Sequence, residues 1–219
     1  MAQNLRSGPD LLLLLSLLLV ILLNPALDHG DLGKLILTAL TFVPVILATI
    51  QLSRKRGWVV PSMLLMLITL IFVVISVFKP TQLVLTIKWG LLSAFFALTV
   101  TGLFSYLRNA PSILRPHLFT AISIYLLLGM VWFALYCAID AAHPGSFQYN
   151  NNALADRQSE LLYFSLVTLS TVGYGDIVPL HGEARMLAAL EGIAGVLYIA
   201  ITVAILISAF KRQGSSSTE

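Results

Sequence analysis

Between Ser165 and Pro179 the chain reads SLVTLSTVGYGDIVP, and the run Thr171-Val172-Gly173-Tyr174-Gly175 offers chemistry from its backbone. No ionised side chain appears in it until Asp176, so it presents main-chain carbonyls together with the Thr171 hydroxyl. Glycine at alternate positions opens backbone angles closed to other residues, so successive carbonyls can face one way. Stacked neutral oxygens suit a hard, weakly hydrated monovalent cation. They suit Mg²⁺ poorly, because that ion gives up its water reluctantly.

Glu191 is the one carboxylate inside the last apolar stretch, and a carboxylate at membrane depth is a functional candidate by default. Two readings stand. It faces the helix before the glycine run and braces it from behind, or it is a protonated or water-contacting residue near the end of its span. Cys137 is the single cysteine and lies in an apolar stretch, which excludes an intrachain disulfide and a cysteine metal site. His29, His117, His143 and His181 are spread over different connections with no ligand spacing among them, and each is expected as a loop histidine. His181, just after the glycine run, is the one to test for pH sensitivity.

The elements that position these residues follow from composition. The chain has 219 residues, 58% hydrophobic and 11% charged, with a mean hydropathy of +0.91. Soluble domains carry about 25% charged residues, so this is an all-α integral membrane protein. The net charge of +3 reflects basic residues placed between apolar stretches. That pattern belongs to membrane topology and argues against a nucleic-acid partner.

A spanning helix needs roughly 20 apolar residues. Six stretches qualify: 11–27, 32–52, 59–78, 83–107, 118–139 and 186–210. The first is short and broken at Asn24-Pro25, and Pro44 should kink the second without ending it. A weak signal peptide is the rival reading of residues 1–26, but Asp10 speaks for a retained helix. Residues 141–159, with Pro144-Gly145 and three asparagines, read as an exposed loop. The apolar run that follows is too short to span. It predicts a re-entrant helix over 157–170, its start capped by Asp156 or Ser159. Irregular backbone at membrane depth is tolerated only in protein or beside water, so the glycine run should line a polar path.

Lys and Arg set the orientation. Arg6, Arg54-Lys55-Arg56, Arg108, Arg115, Lys211 and Arg212 fall on one side of a six-span arrangement; Lys34, Lys79, Lys88, Arg157 and Arg185 fall on the other. Both termini are therefore expected in the cytoplasm.

The stretch Thr168-Leu169-Ser170-Thr171-Val172-Gly173-Tyr174-Gly175-Asp176, set between two spans behind a short helix, resembles the signature of the tetrameric potassium channels. The resemblance covers residues 118–210. It implies six transmembrane helices with a re-entrant pore helix and selectivity filter between the last two. It also implies a homotetramer in the lipid bilayer, conducting K⁺ passively through a fourfold carbonyl filter. The pore domain would be 111–212, with outer helix 118–139, pore helix 157–170, filter 171–176 and inner helix 186–210. Residues 1–110 would be a four-helix membrane domain and 213–219 a flexible tail. Thr171, Val172, Gly173, Tyr174 and Gly175 would coordinate K⁺, while Asp176 would anchor the filter from behind with Tyr163. K⁺ is permeant cargo here, and no cofactor or enzymatic activity is expected.

This sequence departs from the family where many members have two tryptophans and it has Tyr163-Phe164, and where some have a glutamate and it has Val167. Tyr163 can still reach Asp176; Phe164 cannot hydrogen-bond Tyr174. The resemblance also makes Gly195 a bending point of the inner helix, for which close helix packing is an equal explanation. Ile199, Val203 and Ile207 recur every fourth residue on one face, a gate facing the pore axis or a core or lipid-facing stripe.

The fourth stretch holds only Lys88 and Arg108 near its ends, too few for steep voltage gating. Lys88 beside Trp89 reads as an interface anchor. No cytoplasmic ligand-binding domain is expected in this chain. A poorly selective monovalent cation channel is the near alternative. A secondary cation transporter is the distant one, for which paired repeats with broken helices are expected and one re-entrant segment is found. Compact loops lacking N-x-[ST] fit a bacterial inner membrane.

Overall fold

The computed structural model describes residues 8–27, 30–53, 59–108, 115–149 and 157–215. It is helical apart from two three-residue strands: α1 (Gly8–Leu27), α2 (Gly30–Ser53), α3 (Val59–Phe78), α4 (Gln82–Arg108), α5 (Arg115–Ala142), β1 (Phe147–Tyr149), α6 (Arg157–Leu169), β2 (Ile177–Pro179) and α7 (Gly182–Ser215). Among the described residues five helices, α1, α3, α4, α5 and α7, are long and apolar enough to cross a membrane. In α2 the described apolar stretch is Leu40–Gln51.

Local chemistry sets the limits of these helices. Lys79-Pro80 separates α3 from α4, because proline disfavours helix at the residue before it. Thr81 then caps α4, its hydroxyl accepting the Val84 N–H at 3.3 Å. The expected break at Asn24-Pro25 does not occur: α1 runs to Leu27 with Pro25 inside it. Pro25 sits in the last turn, where few downstream bonds remain to be lost, and Asn24 is buried, its amide oxygen accepting the Ser159 hydroxyl. Ser159 lies inside the first turn of α6, and its hydroxyl hydrogen goes to α1. Asp156, the other candidate cap, lies outside the described residues, as do Arg6 and Arg54-Lys55-Arg56 from the charge argument. At the far end α7 continues to Ser215, into the stretch expected as tail.

Helices α4 and α5 pack antiparallel along their lengths. Gln82 pairs with the Ala142 carbonyl, Trp89 meets Phe133 edge-on at 5.4 Å, Ser93 donates to the Val131 carbonyl at 3.0 Å, and Tyr106 stacks on His117 at 5.3 Å. The largest buried side chains, among them Phe95, Phe96, Ile124, Leu127, Met130, Tyr136 and Leu161, gather where α4, α5 and α6 meet. Helix α1 joins this body: Gln51 of α2 donates to the Pro9 carbonyl at 2.8 Å, and the Thr120 hydroxyl of α5 lies 3.4 Å from the Asp10 carboxyl group. The first helices are thus packed onto the rest of the chain.

One part of the presumed exposed loop is ordered as sheet. Phe147, Gln148 and Tyr149 pair antiparallel with Pro179, Val178 and Ile177. Phe147 is buried against Tyr136 and Phe164, which gives the strand its anchor. The amides of Leu180 and His181 both donate to the Ser146 carbonyl, at 2.8 and 3.3 Å. The chain leaving the glycine run is thereby tied to the end of α5.

Candidate ion-conduction site

Helix α6 ends at Leu169, and the chain turns at once into the glycine run. The Val167 carbonyl takes the N–H of Val172 at 3.0 Å and that of Gly173 at 3.4 Å, while Thr171 N–H bonds the Thr168 carbonyl at 2.9 Å. These bonds use the carbonyls that a helix end leaves open. Beyond them the backbone alternates in hand: Thr171, Gly173 and Gly175 have φ of 61°, 54° and 78°, and the intervening Val172 and Tyr174 have negative φ. In a regular strand successive carbonyls point to opposite sides. Reversing the hand of every second residue turns them to the same side. Two of the three left-handed positions are glycine, which adopts them without steric cost; at Thr171 the conformation stores strain of order 1–2 kcal/mol.

All five residues of the run are exposed in the single chain, Tyr174 at 70% and Val172 at 52%. The flank of α7 carrying Met186, Leu190, Ile193 and Leu197 is exposed as well. The run has a packed back and an open front.

The back is organised by Asp176. Its carboxylate accepts the Tyr163 hydroxyl at 2.7 Å and the Ile177 N–H at 3.1 Å, so it turns toward α6. The hydrogen bond to Asp176, with smaller contributions from burial and nearby charge, pushes the Tyr163 phenol up to about 12. Phe164 points away into the core, edge-on to Tyr136 at 5.1 Å and to Phe147 at 5.6 Å.

Glu191 is fully buried, with 0% exposure. Its two oxygens lie 2.5 Å from the Tyr136 hydroxyl of α5 and 2.6 Å from Ser165 Oγ of α6. Ser165 Oγ is also 2.8 Å from the Gly129 carbonyl. A serine hydroxyl has one hydrogen and cannot donate to both. Every contact is satisfied if Glu191 carries its proton and donates it to Ser165, Ser165 donates to Gly129, and Tyr136 donates to the other carboxyl oxygen. A neutral acid also avoids the cost of an ionised carboxylate out of water. The network links α5, α6 and α7 two turns behind the glycine run, and it does not touch Asp176 directly.

Gly195 lies where α7 crosses the end of α6. A methyl group there would sit 2.0 Å from the Leu169 carbonyl oxygen, so only glycine permits this approach. The same carbonyl accepts the Tyr125 hydroxyl at 3.3 Å. At Gly192 the nearest atom would be 3.9 Å away, an ordinary contact. Ile199, Val203 and Ile207 follow down α7, each about half exposed in the single chain.

Sequence reasoning reached Tyr163, Asp176 and Glu191 but missed Tyr136 and Ser165. Nothing distinguishes Tyr136 from other aromatic residues of α5; Ser165, a polar residue in the apolar run before the glycine run, was the available signal. The histidines were read as independent, yet His143 and His181 stack with ring centroids 4.7 Å apart and planes at 11°. The β1–β2 pairing, invisible to a spacing search, brings them together.

A family model described as ion channel matches residues 120–212. Curated relatives align over shorter parts of the chain. A provisionally named potassium channel protein of Rhodopseudomonas palustris is 43% identical over 53 residues, 24% of this chain and 13% of that protein. An inward rectifier potassium channel of Paramagnetospirillum magnetotacticum is 29% identical over 86 residues, 39% of this chain and 25% of that protein. A two pore potassium channel of Oryza sativa is 39% identical over 75 residues, 34% of this chain and 19% of that protein. The chain thus spans a quarter or less of the length of these relatives. No solved structure gives a significant match. The matched region holds α6, the alternating backbone and α7, and over it this multi-pass membrane protein is similar to the ion channel family, while the curated relatives it resembles over shorter stretches are named as potassium channels.

Proposed function

We propose that the chain is one quarter of a potassium-selective channel that conducts K⁺ passively, with α6 as the re-entrant pore helix and Thr171 to Gly175 as the filter. The observation that carries this reading is the alternating backbone at φ 61°, 54° and 78°. It lets neutral carbonyls stack toward the open front, where three further copies would complete rings of oxygens around a dehydrated K⁺. Thr171 supplies its hydroxyl and carbonyl to the innermost site, and Val172, Gly173, Tyr174 and Gly175 supply those above it. A C4 arrangement closes the ring and covers the exposed flank of α7. The carboxy-terminal end of α6, partly negative from its aligned peptide dipoles, favours a cation below the filter.

In this reading Asp176 and Tyr163 hold the filter from behind, and Glu191 holds α6 against α7. Ile199, Val203 and Ile207 line the pathway beyond, where an apolar ring gates by dewetting. Gly195 permits the α6–α7 approach and is also the place where α7 would bend. Steep voltage dependence is absent, because α4 carries cations only near its ends. All six long helices span a bacterial inner membrane, with both termini cytoplasmic.

The test is the reversal potential of the purified chain in liposomes under opposed K⁺ and Na⁺ gradients. Currents should reverse near the K⁺ equilibrium potential. Reversal midway between the two ions would replace this reading with a poorly selective cation channel. Flux strictly coupled to a second ion would replace it with a transporter.

A further inference from the structure

Beyond the glycine run, the chain is held to the end of α5 by a clasp whose side-chain part is a pair of histidines. His143 directly follows α5 and His181 directly precedes α7, and their rings stack with centroids 4.7 Å apart and planes at 11°. Beside them the Leu180 and His181 amides donate to the Ser146 carbonyl at 2.8 and 3.3 Å, and the Ser146 amide and hydroxyl donate to the His143 carbonyl at 3.2 and 2.6 Å. His143 is exposed and His181 half-buried. The Nδ1 atom of His181 is buried without a hydrogen-bond partner. Among the described residues, the charged groups on the elements around the pair are Asp140 of α5, Arg157 and Glu160 of α6, Glu183 and Arg185 of α7, and Lys79 ahead of α4, whose Gln82 meets the Ala142 carbonyl. Their charges sum to zero, so they offer no net counter-charge to a doubly protonated pair. Asp140 is drawn to Arg157 at 3.7 Å, and among the described residues neither histidine has an ion-pair partner.

We propose that the His143–His181 stack is a proton-sensitive clasp, which holds the chain leaving the filter while at most one ring is charged and opens when both are. Histidine is the side chain that ordinarily changes charge between about pH 5 and 8. One proton is compatible with the stack, because His143 is exposed and stands at the C-terminal end of α5, where a cation is favoured. A second proton is not. It places like charges 4.7 Å apart and sets a cation at the N-terminal end of α7. It also makes the buried His181 Nδ1 a donor with no acceptor. The open clasp therefore takes the second proton more readily than the closed one, so closure is favoured at neutral pH and lost as pH falls. Opening releases Leu180 and His181 from Ser146, and the carbonyl run loses its restraint on the Gly175 side. Control of conduction rests on the channel reading above; proton control of the clasp does not.

The test follows two readouts in the full chain reconstituted in lipid. Amide hydrogen exchange at Leu180 and His181, corrected for the intrinsic effect of pH on exchange, reads the clasp whether or not the protein conducts. K⁺ current across a planar bilayer, with pH varied on each side in turn, reads the consequence. Between about pH 7.5 and 5.5 exchange should rise and current fall, each about fivefold, and the current should respond only to pH on the Gly175 side. His181→Phe keeps a ring against His143 and removes the second charge, so both responses should disappear while current at neutral pH stays near wild type. His143→Phe, at the exposed position, should weaken both responses and serves should the first variant not fold. His143→Lys fixes one charge beside His181 and should move both profiles about one unit toward higher pH. Exchange that is indifferent to pH, or an acid response in either folded phenylalanine variant equal to the wild type, overturns the clasp. Current that responds to pH only from the opposite side overturns its link to conduction. Absence of K⁺ current at every pH, with acid-dependent exchange in the wild type and none in His181→Phe, removes the channel and leaves the clasp.

Discussion

At the scale of the residue, proton accounting around Glu191 yields a prediction that a salt-bridge picture does not. If the carboxyl is neutral, glutamine reproduces both contacts, its NH₂ donating to Ser165 and its oxygen accepting from Tyr136. Glu191→Gln should therefore stay within about 1 kcal/mol of the wild type in thermal or denaturant unfolding. Glu191→Ala leaves a cavity and an unpartnered Tyr136 hydroxyl, and should lose about 2–4 kcal/mol with faster decay of K⁺ current. An ionised Glu191 would reverse the first expectation, since an amide could not replace the charge. Tyr163 behaves differently. Its phenol is raised to about 12, above the usual ~10, so the bond to Asp176 is fully present below pH ~10 and is lost as pH climbs through about 12. Between pH 6 and 9, Tyr163→Phe should thus reduce filter stability by a constant amount, about 1 kcal/mol. A wild-type pH dependence in that window must arise elsewhere, and current recorded against external pH checks this.

At the scale of the element, Gly195 and Gly192 form a matched pair. They lie on one helix three residues apart, and helix propensity alone makes glycine-to-alanine stabilising at both, by about 1 kcal/mol. Tertiary structure separates them. Gly192→Ala meets only an ordinary contact at 3.9 Å, and its thermal midpoint should hold or rise. Gly195→Ala drives a methyl to 2.0 Å from the Leu169 carbonyl, so α7 must move off α6. Destabilisation of about 1–3 kcal/mol and loss of selective current are expected, read by unfolding and reversal potential together. The same comparison shows what was legible beforehand. Apolar stretches of spanning length gave each long helix to within a few residues, because hydrocarbon leaves a backbone no other way to satisfy its hydrogen bonds. The alternating backbone of Thr171 to Gly175 was legible because its glycines are local in sequence. The β1–β2 pairing, the Tyr136–Glu191–Ser165 chain and the His143–His181 stack were not, since each joins residues far apart in the chain through packing that no periodicity records. Gly195 fell between these cases: the residue was visible, but the carbonyl it approaches was not.

At the scale of the whole molecule, the exposed filter makes a claim about assembly. A single chain leaves Tyr174 at 70% exposure and the carbonyl front open, so on the function proposed above the ion-binding site is complete only when four copies converge. K⁺ is then a ligand of the tetramer and has no comparable site on the monomer. Binding to one side of an equilibrium stabilises that side by an amount that grows with the logarithm of ligand concentration, about 2.7 kcal/mol at a hundredfold excess over Kd. The purified protein should therefore run at four times the chain mass in K⁺. Replacing K⁺ by Na⁺ at constant ionic strength should lower the tetramer's thermal midpoint, and restoring K⁺ should recover it. Gly173→Ala sharpens the test. A Cβ there meets open space within its own chain, so its cost is the left-handed φ of 54° alone. That variant should keep its helices and much of its assembly while losing the K⁺ dependence of the midpoint. A tetramer equally stable in both ions, with Gly173→Ala indistinguishable from the wild type, would mean that the carbonyl run is not where the ion binds.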